Sequence, residues 1–317
     1  MISRRLLRIK VLQVLYANYH STTSSISQSE KELFQSIQKT YDLYHYIMLL
    51  LIELVKYGEE RIEMGKEKHL PTVEEQNPNK RFVANKIIDQ LRNNNPLNRY
   101  IHQNKINWSG QSEIIKTIFN QFKDKEYFLD YMKSDEGDYK ADKRVVEKIL
   151  TEEIPGLEQL DQLLEEQNIF WNNDLEFVIS MIIKTIKGFK ENDSRDQDMM
   201  PLFKNDEDRD FSKIILRKVL INHEEYNQLI KNFSQNWEFD RIAIMDIILM
   251  QMAIAEFTEI VSVPTKVSLN EYIEIAKYYS TTGSSNFING ILDKIISHLK
   301  KENKINKQGR GLIGEAE

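Results

Sequence analysis

Cysteine is absent from the 317 residues. Its absence excludes disulfides and thiolate metal sites, and it fits a reducing compartment. Glycine and proline are scarce, at 11 and 6, so a mostly helical protein is expected, because a β-rich chain needs more turn residues. No apolar run is long enough to cross a bilayer: the most apolar stretch, 47–55, is short and broken by Glu53. Residues 1–21 begin basic, but Lys10 and Gln13 interrupt the apolar run and no small-residue cleavage site follows, so they do not read as a signal peptide. The net charge of −6 excludes a protein that is basic all over, and any nucleic-acid site must be a local patch. None of the six histidines forms an H-x-x-x-H pair, and neither G-x-S-x-G nor a P-loop occurs. A G-x-G-x-x-G at 309–314 lacks the strand and helix that would make it a dinucleotide fingerprint. With no catalytic constellation, metal cluster or cofactor fingerprint, the expectation is a protein that is not an enzyme.

What is present is helical periodicity. At 37.6 kDa and 41% hydrophobic, the chain can bury a sizeable core and has room for two or three domains. Residues 3–19 read as one helix. Leu7, Val11 and Val14 form an apolar stripe, while Arg4, Arg5 and Arg8 share an arc of roughly 100°. Those arginines suit either a solvated basic face or an exposed phosphate patch. Their place near the helix N-terminus, where cations oppose the dipole, favours the patch.

Residues 240–257 are apolar on most faces, the pattern of a buried central helix. Val263-Pro264 ends that pattern. Ser268 and Glu271 have capping-box spacing, as do Ser27 and Glu30. Phe287, Ile288, Ile291, Leu292, Ile295 and Leu299 give the stripe of a last amphipathic helix.

Between these ends, a long helix is expected over 28–61, with Tyr41, Met48 and Val55 at seven-residue spacing. Residues 71–78 read as a polar linker. Helices are expected near 81–92, 112–122, 143–153 and 157–167, with Phe119, Phe122, Tyr127, Phe128 and Tyr131 as core aromatics. Further helices are expected at 174–189 and 211–233, joined by an acidic stretch.

Two segments together carry a resemblance. One is Arg4-Arg-Leu-Leu-Arg8 followed by Leu12-Gln-Val-Leu-Tyr16. The other runs through Arg241, Asp246 and Glu256, Pro264-Thr-Lys-Val-Ser-Leu-Asn-Glu271, Ile275-Ala-Lys277 and Ser285-Asn-Phe-Ile-Asn-Gly-Ile-Leu-Asp293. The chain resembles the NusB family of bacterial transcription antitermination factors over roughly 1–60 and 170–300.

The resemblance implies an all-α fold of two three-helix bundles, with an extra helical insertion in the N-terminal half. The expected division is 1–61 as N-terminal helices, 62–170 as the insertion and 171–190 as the return helix. An acidic linker then covers 191–210, a C-terminal bundle 211–303, and a disordered basic tail 304–317, whose lysines and Arg310 add non-specific attraction for RNA.

It also implies binding of boxA-type single-stranded RNA together with the ribosomal protein NusE, within the RNA polymerase antitermination complex. No cofactor or membrane is involved, and the location is cytoplasmic. Arg4, Arg5, Arg8 and Gln13 match RNA-contacting positions. Tyr279 and Phe287 match aromatic positions beside the RNA, although Phe287 reads equally as a core residue. Tyr16, Asp240 and Asp246 match the ribosomal-protein face, and an unpaired acid at Asp246 would want a partner. Gly283, Gln251 and Leu6 depart from the family pattern.

Two other readings stand beside this one. Ribosomal RNA cytosine methyltransferases carry a NusB-like domain, but they need a catalytic cysteine, and this chain has none. A helical protein-binding scaffold with weak or no RNA affinity fits Gly283, Gln251 and the acidic net charge.

Overall fold

The computed structural model describes residues 1–21, 25–135, 137–234 and 238–314. Trp237 and the final three positions of the tail lie outside the described residues. Every regular element among the described residues is helical. The chain divides into two compact units, Met1–Ile37 with Phe203–Glu317, and Gln38–Leu202.

The first unit opens with α1 (Arg4–Tyr19), capped by the Ser3 hydroxyl, which accepts from the Leu6 amide at 3.2 Å. Leu7, Leu12 and Val14 on its inner face are buried. Helix α2 (Ile26–Lys66) gives its first turns to this unit and the rest to the second. Its cap is Ser25, whose hydroxyl accepts from the Gln28 amide. Ser29 and Glu30 are already helical, so the expected Ser27 capping box is corrected.

The second unit continues with α3 (Val73–Gln76), α4 (Lys86–Arg92), α5 (Asn95–Gln103), α6 (Ser112–Phe122), α7 (Glu126–Met132) and α8 (Tyr139–Lys148). A π-turn at Ile149–Glu153, α9 (Glu158–Gln167) and α10 (Leu175–Gly188) complete it. Phe82, Phe119, Phe122 and Phe128 stack edge-on or tilted at ring spacings of 4.8–6.0 Å. Beside them the Arg81 guanidinium donates to Asp142 at 2.6 Å, and the Tyr131 hydroxyl donates to the same carboxylate at 2.8 Å. Helix α10, expected as the return helix of the N-terminal bundle, packs on α8 and the π-turn within this unit.

The first unit resumes with α11 (Asp206–Phe233), α12 (Ile244–Glu259), α13 (Thr265–Tyr279) and α14 (Ser284–Lys301). Helix α11 begins inside the stretch expected to be an acidic linker, with Asn205 capping the Asp208 amide. It kinks at Asn222, whose φ of −108° and ψ of 17° break the helical run. Helix α12 is buried from Asp246 to Phe257, as its all-round apolar pattern predicts.

Helix α13 starts at Thr265, directly after Pro264, so Ser268 lies inside the helix. The Ser268 capping box is therefore corrected: its hydroxyl donates to Glu256 at 2.6 Å. Gly283 precedes α14 with φ +95°, a left-handed geometry that glycine adopts at little cost. The expected disordered tail is also corrected. Residues 304–314 are folded back on the end of α12, with a short 3-10 turn at Gly309–Leu312.

Candidate nucleic-acid interface

Glu256 sits fully buried on α12. A lone carboxylate in that setting would be costly, so it must be compensated. Arg8 of α1 supplies a two-pronged contact, Nε to Oε2 at 2.8 Å and Nη2 to Oε1 at 2.5 Å. The Ser268 hydroxyl donates to Oε1, and the Tyr272 hydroxyl donates to Oε2 at 2.8 Å. Both carboxylate oxygens are thereby satisfied by groups from α1 and α13. Burial is the largest single effect on the Arg8 pKa and pulls it down, but the Glu256 charge and hydrogen bonds, with Tyr272 and Glu271, together outweigh it, so the net shift is upward and the guanidinium stays charged. Burial, and then the Glu256 charge, raises the Tyr272 pKa well above the usual phenol value, which keeps its proton available to donate.

From this buried centre the pairs step outward. Arg8 reaches Glu271 at 3.5 Å, and Glu271 takes both Nε and Nη2 of Arg5, at 2.9 and 2.7 Å. The Arg5 hydrogen bonds, opposed by burial and helped by the Arg8 charge, hold the Glu271 pKa below the usual range. Arg4 turns to α11 instead, pairing with Asp208 at 2.9 Å and Glu207 at 2.7 Å, its guanidinium 5.2 Å from the Phe211 ring.

The expectation of one exposed arginine patch is thus corrected. The Arg8 side chain is 2% exposed, Arg4 is partly covered, and the Arg5 side chain alone of the three is mostly open, at 52%. Arg8 lies one turn beyond Arg4 and Arg5, where α1 packs against α11 and α12. Sequence spacing put the three on one arc but could not reveal the acids that cover it.

At the opposite end of α13, Asp246 is buried rather than unpaired. Ser280 donates to its Oδ1, and Ser284 donates to Oδ2 at 2.8 Å. The expectation that Asp246 presents an unsatisfied acid to a partner is corrected for that reason. Asp246, Gly283, Ser284, Phe287, Arg241 and Lys294 line an open cleft of about 1010 Å³. Phe287 is half-buried at that cleft wall, neither a full core residue nor free on the surface.

Tyr279 is also half-buried, whereas the neighbouring Tyr278, which the sequence reading passed over, is exposed. Gln13 is half-buried on α1; Tyr16 is 39% exposed and packs edge-on against His20 at 4.7 Å. Asp240 is exposed in the 3-10 turn Phe239–Arg241. Gln251 donates to Asn227 at 2.8 Å, which occupies the side chain that replaces an arginine of the family pattern.

The residues that sequence reasoning missed are the acids, Glu207, Asp208, Glu256 and Glu271, as partners of the arginines. One signal was available. A lone carboxylate midway along an apolar helix demands a buried cation, and α1 carries Arg8 beside its apolar stripe.

Residues 178–297 match the family model described as "NusB family". The transcription antitermination protein NusB of Salinibacter ruber is 44% identical over 115 residues, 36% of this chain and 72% of the relative. That of Chloroherpeton thalassium is 46% identical over 105 residues, 33% of this chain and 50% of the relative. That of Natranaerobius thermophilus is 35% identical over 91 residues, covering 29% and 66%. A solved structure of T. maritima NusB aligns with 23% identity over 43% of this chain and 84% of that one, at a TM-score of 0.28.

Proposed function

Because this chain belongs to the NusB family, we propose that it is a transcription antitermination factor that binds boxA-type single-stranded RNA together with the ribosomal protein NusE. The observation that carries this reading is the 44% identity to a relative named as a transcription antitermination protein. The mechanism is assembly on a transcript, with no reaction catalysed, in the cytoplasm with RNA polymerase. Among the described residues no helix is long and apolar enough to cross a membrane.

On this reading Arg5 and Arg4 contact phosphates, with Gln13 on the same helix. Tyr279 and Phe287 offer rings for bases, a pairing of cation and stacking surface that suits single-stranded RNA. Arg8 acts from beneath as a positioning residue: through Glu256 it fixes α1 against α12 and through Glu271 against α13, and so fixes where Arg5 points. Tyr16 and Asp240, both exposed, belong to the ribosomal-protein face.

One observation favours a second reading, a protein-binding scaffold with little RNA affinity. All three α1 arginines are already paired with carboxylates, so RNA must compete with Glu207 and Glu271. Fluorescence anisotropy of a short boxA-type RNA, with and without NusE and across a salt series, separates the two. Antitermination predicts tighter binding with NusE, preference over scrambled RNA, and a log-log salt slope of a few phosphates. Loss of binding in Arg5→Glu with unchanged thermal stability fits the first reading. Binding of NusE with no RNA affinity in any condition establishes the second.

A further inference from the structure

The tail that composition suggested would float is anchored by three independent contacts. The Lys307 ammonium is buried and donates to the carbonyls of Ile260 at 2.8 Å and Glu256 at 3.3 Å, at the C-terminal end of α12. A cation there complements the helix dipole and gives the Ile260 carbonyl, just past the last helical residue, a donor. The Gln308 amide donates to the Val261 carbonyl at 2.9 Å. Gly311 packs so closely that a Cβ would overlap that same carbonyl oxygen. No larger residue fits without lifting the tail.

This docking places an exposed cation. The neighbour of Val261, Ser262, donates its hydroxyl to Glu207, and Glu207 holds Arg4. The 3-10 turn Gly309–Leu312 therefore lies against the segment that leads to the Arg4–Glu207 pair, with Arg310 exposed on it. The Arg310 charge is felt at Glu207, where it adds a small lowering of the pKa to the larger effects of the Ser262 and Arg4 hydrogen bonds.

We propose that residues 307–312 are a built part of the RNA-binding face, with Arg310 a further phosphate contact beside Arg4 and Lys307 the residue that positions it. The proposal rests on the RNA-binding reading above. It differs from a charged tail that attracts RNA wherever it drifts, because the cation is held at one place by Lys307 and by the absence of a side chain at Gly311. The same Lys307 contact braces the backbone of Glu256, so the tail also supports the carboxylate that seats Arg8.

The test is anisotropy of a fluorescein-labelled boxA-type RNA with the full chain, across salt, for wild type, Arg310→Gln, Gly311→Val and Lys307→Met. Arg310→Gln is expected to bind roughly three- to fivefold more weakly, with the salt slope smaller by about 0.7, one single-strand phosphate. Gly311→Val keeps every charge but lifts the tail, and is expected to lose as much affinity as Arg310→Gln. Lys307→Met undocks the tail by a second route and should match it.

If Gly311→Val and Lys307→Met are folded and bind as wild type does, docking is irrelevant and the proposal falls. Unchanged affinity and slope in Arg310→Gln also overturn it, while the RNA reading survives. A wild type that binds no RNA with or without NusE overturns both.

Discussion

Each unit of the molecule is built around a buried arginine, a buried carboxylate and a tyrosine hydroxyl on that carboxylate. In the first unit these are Arg8, Glu256 and Tyr272; in the second they are Arg81, Asp142 and Tyr131. The two centres end differently. Arg81 spends its remaining donors on the Ser134 hydroxyl and the Asp138 carbonyl, and Asp142 takes the Lys86 amide. Arg8 instead passes to Glu271 and from there to half-exposed Arg5. One centre is closed on itself and serves stability. The other has a lead to the surface, so a change at the surface is felt in the core. The same chemistry can therefore be a knot or a conduit, depending on where the second acid lies.

That contrast can be broken most forcefully at the acids. Glu256→Gln and Asp142→Asn each leave a buried guanidinium short of a counter-charge and are expected to cost about 3–5 kcal/mol. In calorimetry the first should lower the transition of its own unit and the second that of the other. A single common transition moved equally by both would show that the units do not melt separately. Only Glu256→Gln should also weaken RNA binding.

Acid should then separate the units. Burial lowers the His45 pKa to about 4, against which the Tyr41 carbonyl and Asp42 act only partly. Its Nδ1 lies 2.8 Å from that carbonyl and its ring stacks on Tyr100 at 3.7 Å. The folded chain thus refuses a proton that the unfolded chain accepts, so stability is complete above about pH 6.5 and declines towards pH 4. The loss is about 3 kcal/mol at most, and it falls on the second unit. In the first unit Glu271 has a depressed pKa, so its contribution is present above the ordinary carboxylate value and is lost as pH falls through the lower folded value. Acid titration should open the second unit first, and His45→Gln should flatten that early slope. A first unit that melts earlier would contradict this order.

Smaller effects sharpen the comparison further. Gly283 and Gly156 have φ of +95° and +75°, with open space where a Cβ would go. Alanine at either should cost about 1–2 kcal/mol from backbone strain alone, each in its own unit, as read by urea unfolding. Last come two exposed pairs, Arg5 with Glu271 and Arg92 with Glu59. Arg5→Ala and Arg92→Ala should each change stability by less than about 1 kcal/mol, while only the former reduces RNA affinity.

Much of this was legible in the sequence, for reasons that differ by element. Helix α6 was expected at 112–122 and is found at Ser112–Phe122, because its apolar spacing is strong and polar residues, Gln111 and Lys123, flank it. The all-round apolar pattern of α12 marked it as buried. Helices α5 and α7 went unread: at 9 and 7 residues they are too short for periodicity to stand out from loop composition. Ser268 misled because capping-box spacing also occurs inside a helix, and Pro264 had already set the true start.

The arginines were legible as a basic cluster but not as a network. Arg8 and Glu256 are 248 positions apart, and no local rule joins them. The tail failed for a related reason. Its lysines read as solvated charge, and only the three-dimensional end of α12 gives Lys307 its acceptors.

The 248 positions that separate Glu256 from Arg8 also set a schedule. A ribosome adding about 5–20 residues per second would make α1 roughly 12–50 s before its counter-charge exists. Through that interval the buried face of α1 has no native core to enter, while Gln38–Leu202 emerges as one continuous stretch able to fold first. The nascent chain therefore carries Arg8 without its counter-charge, beside exposed Leu7, Val11 and Leu12, until α12 is made. The first unit closes only when α12 and α13 arrive, so helices made late decide when α1 becomes native.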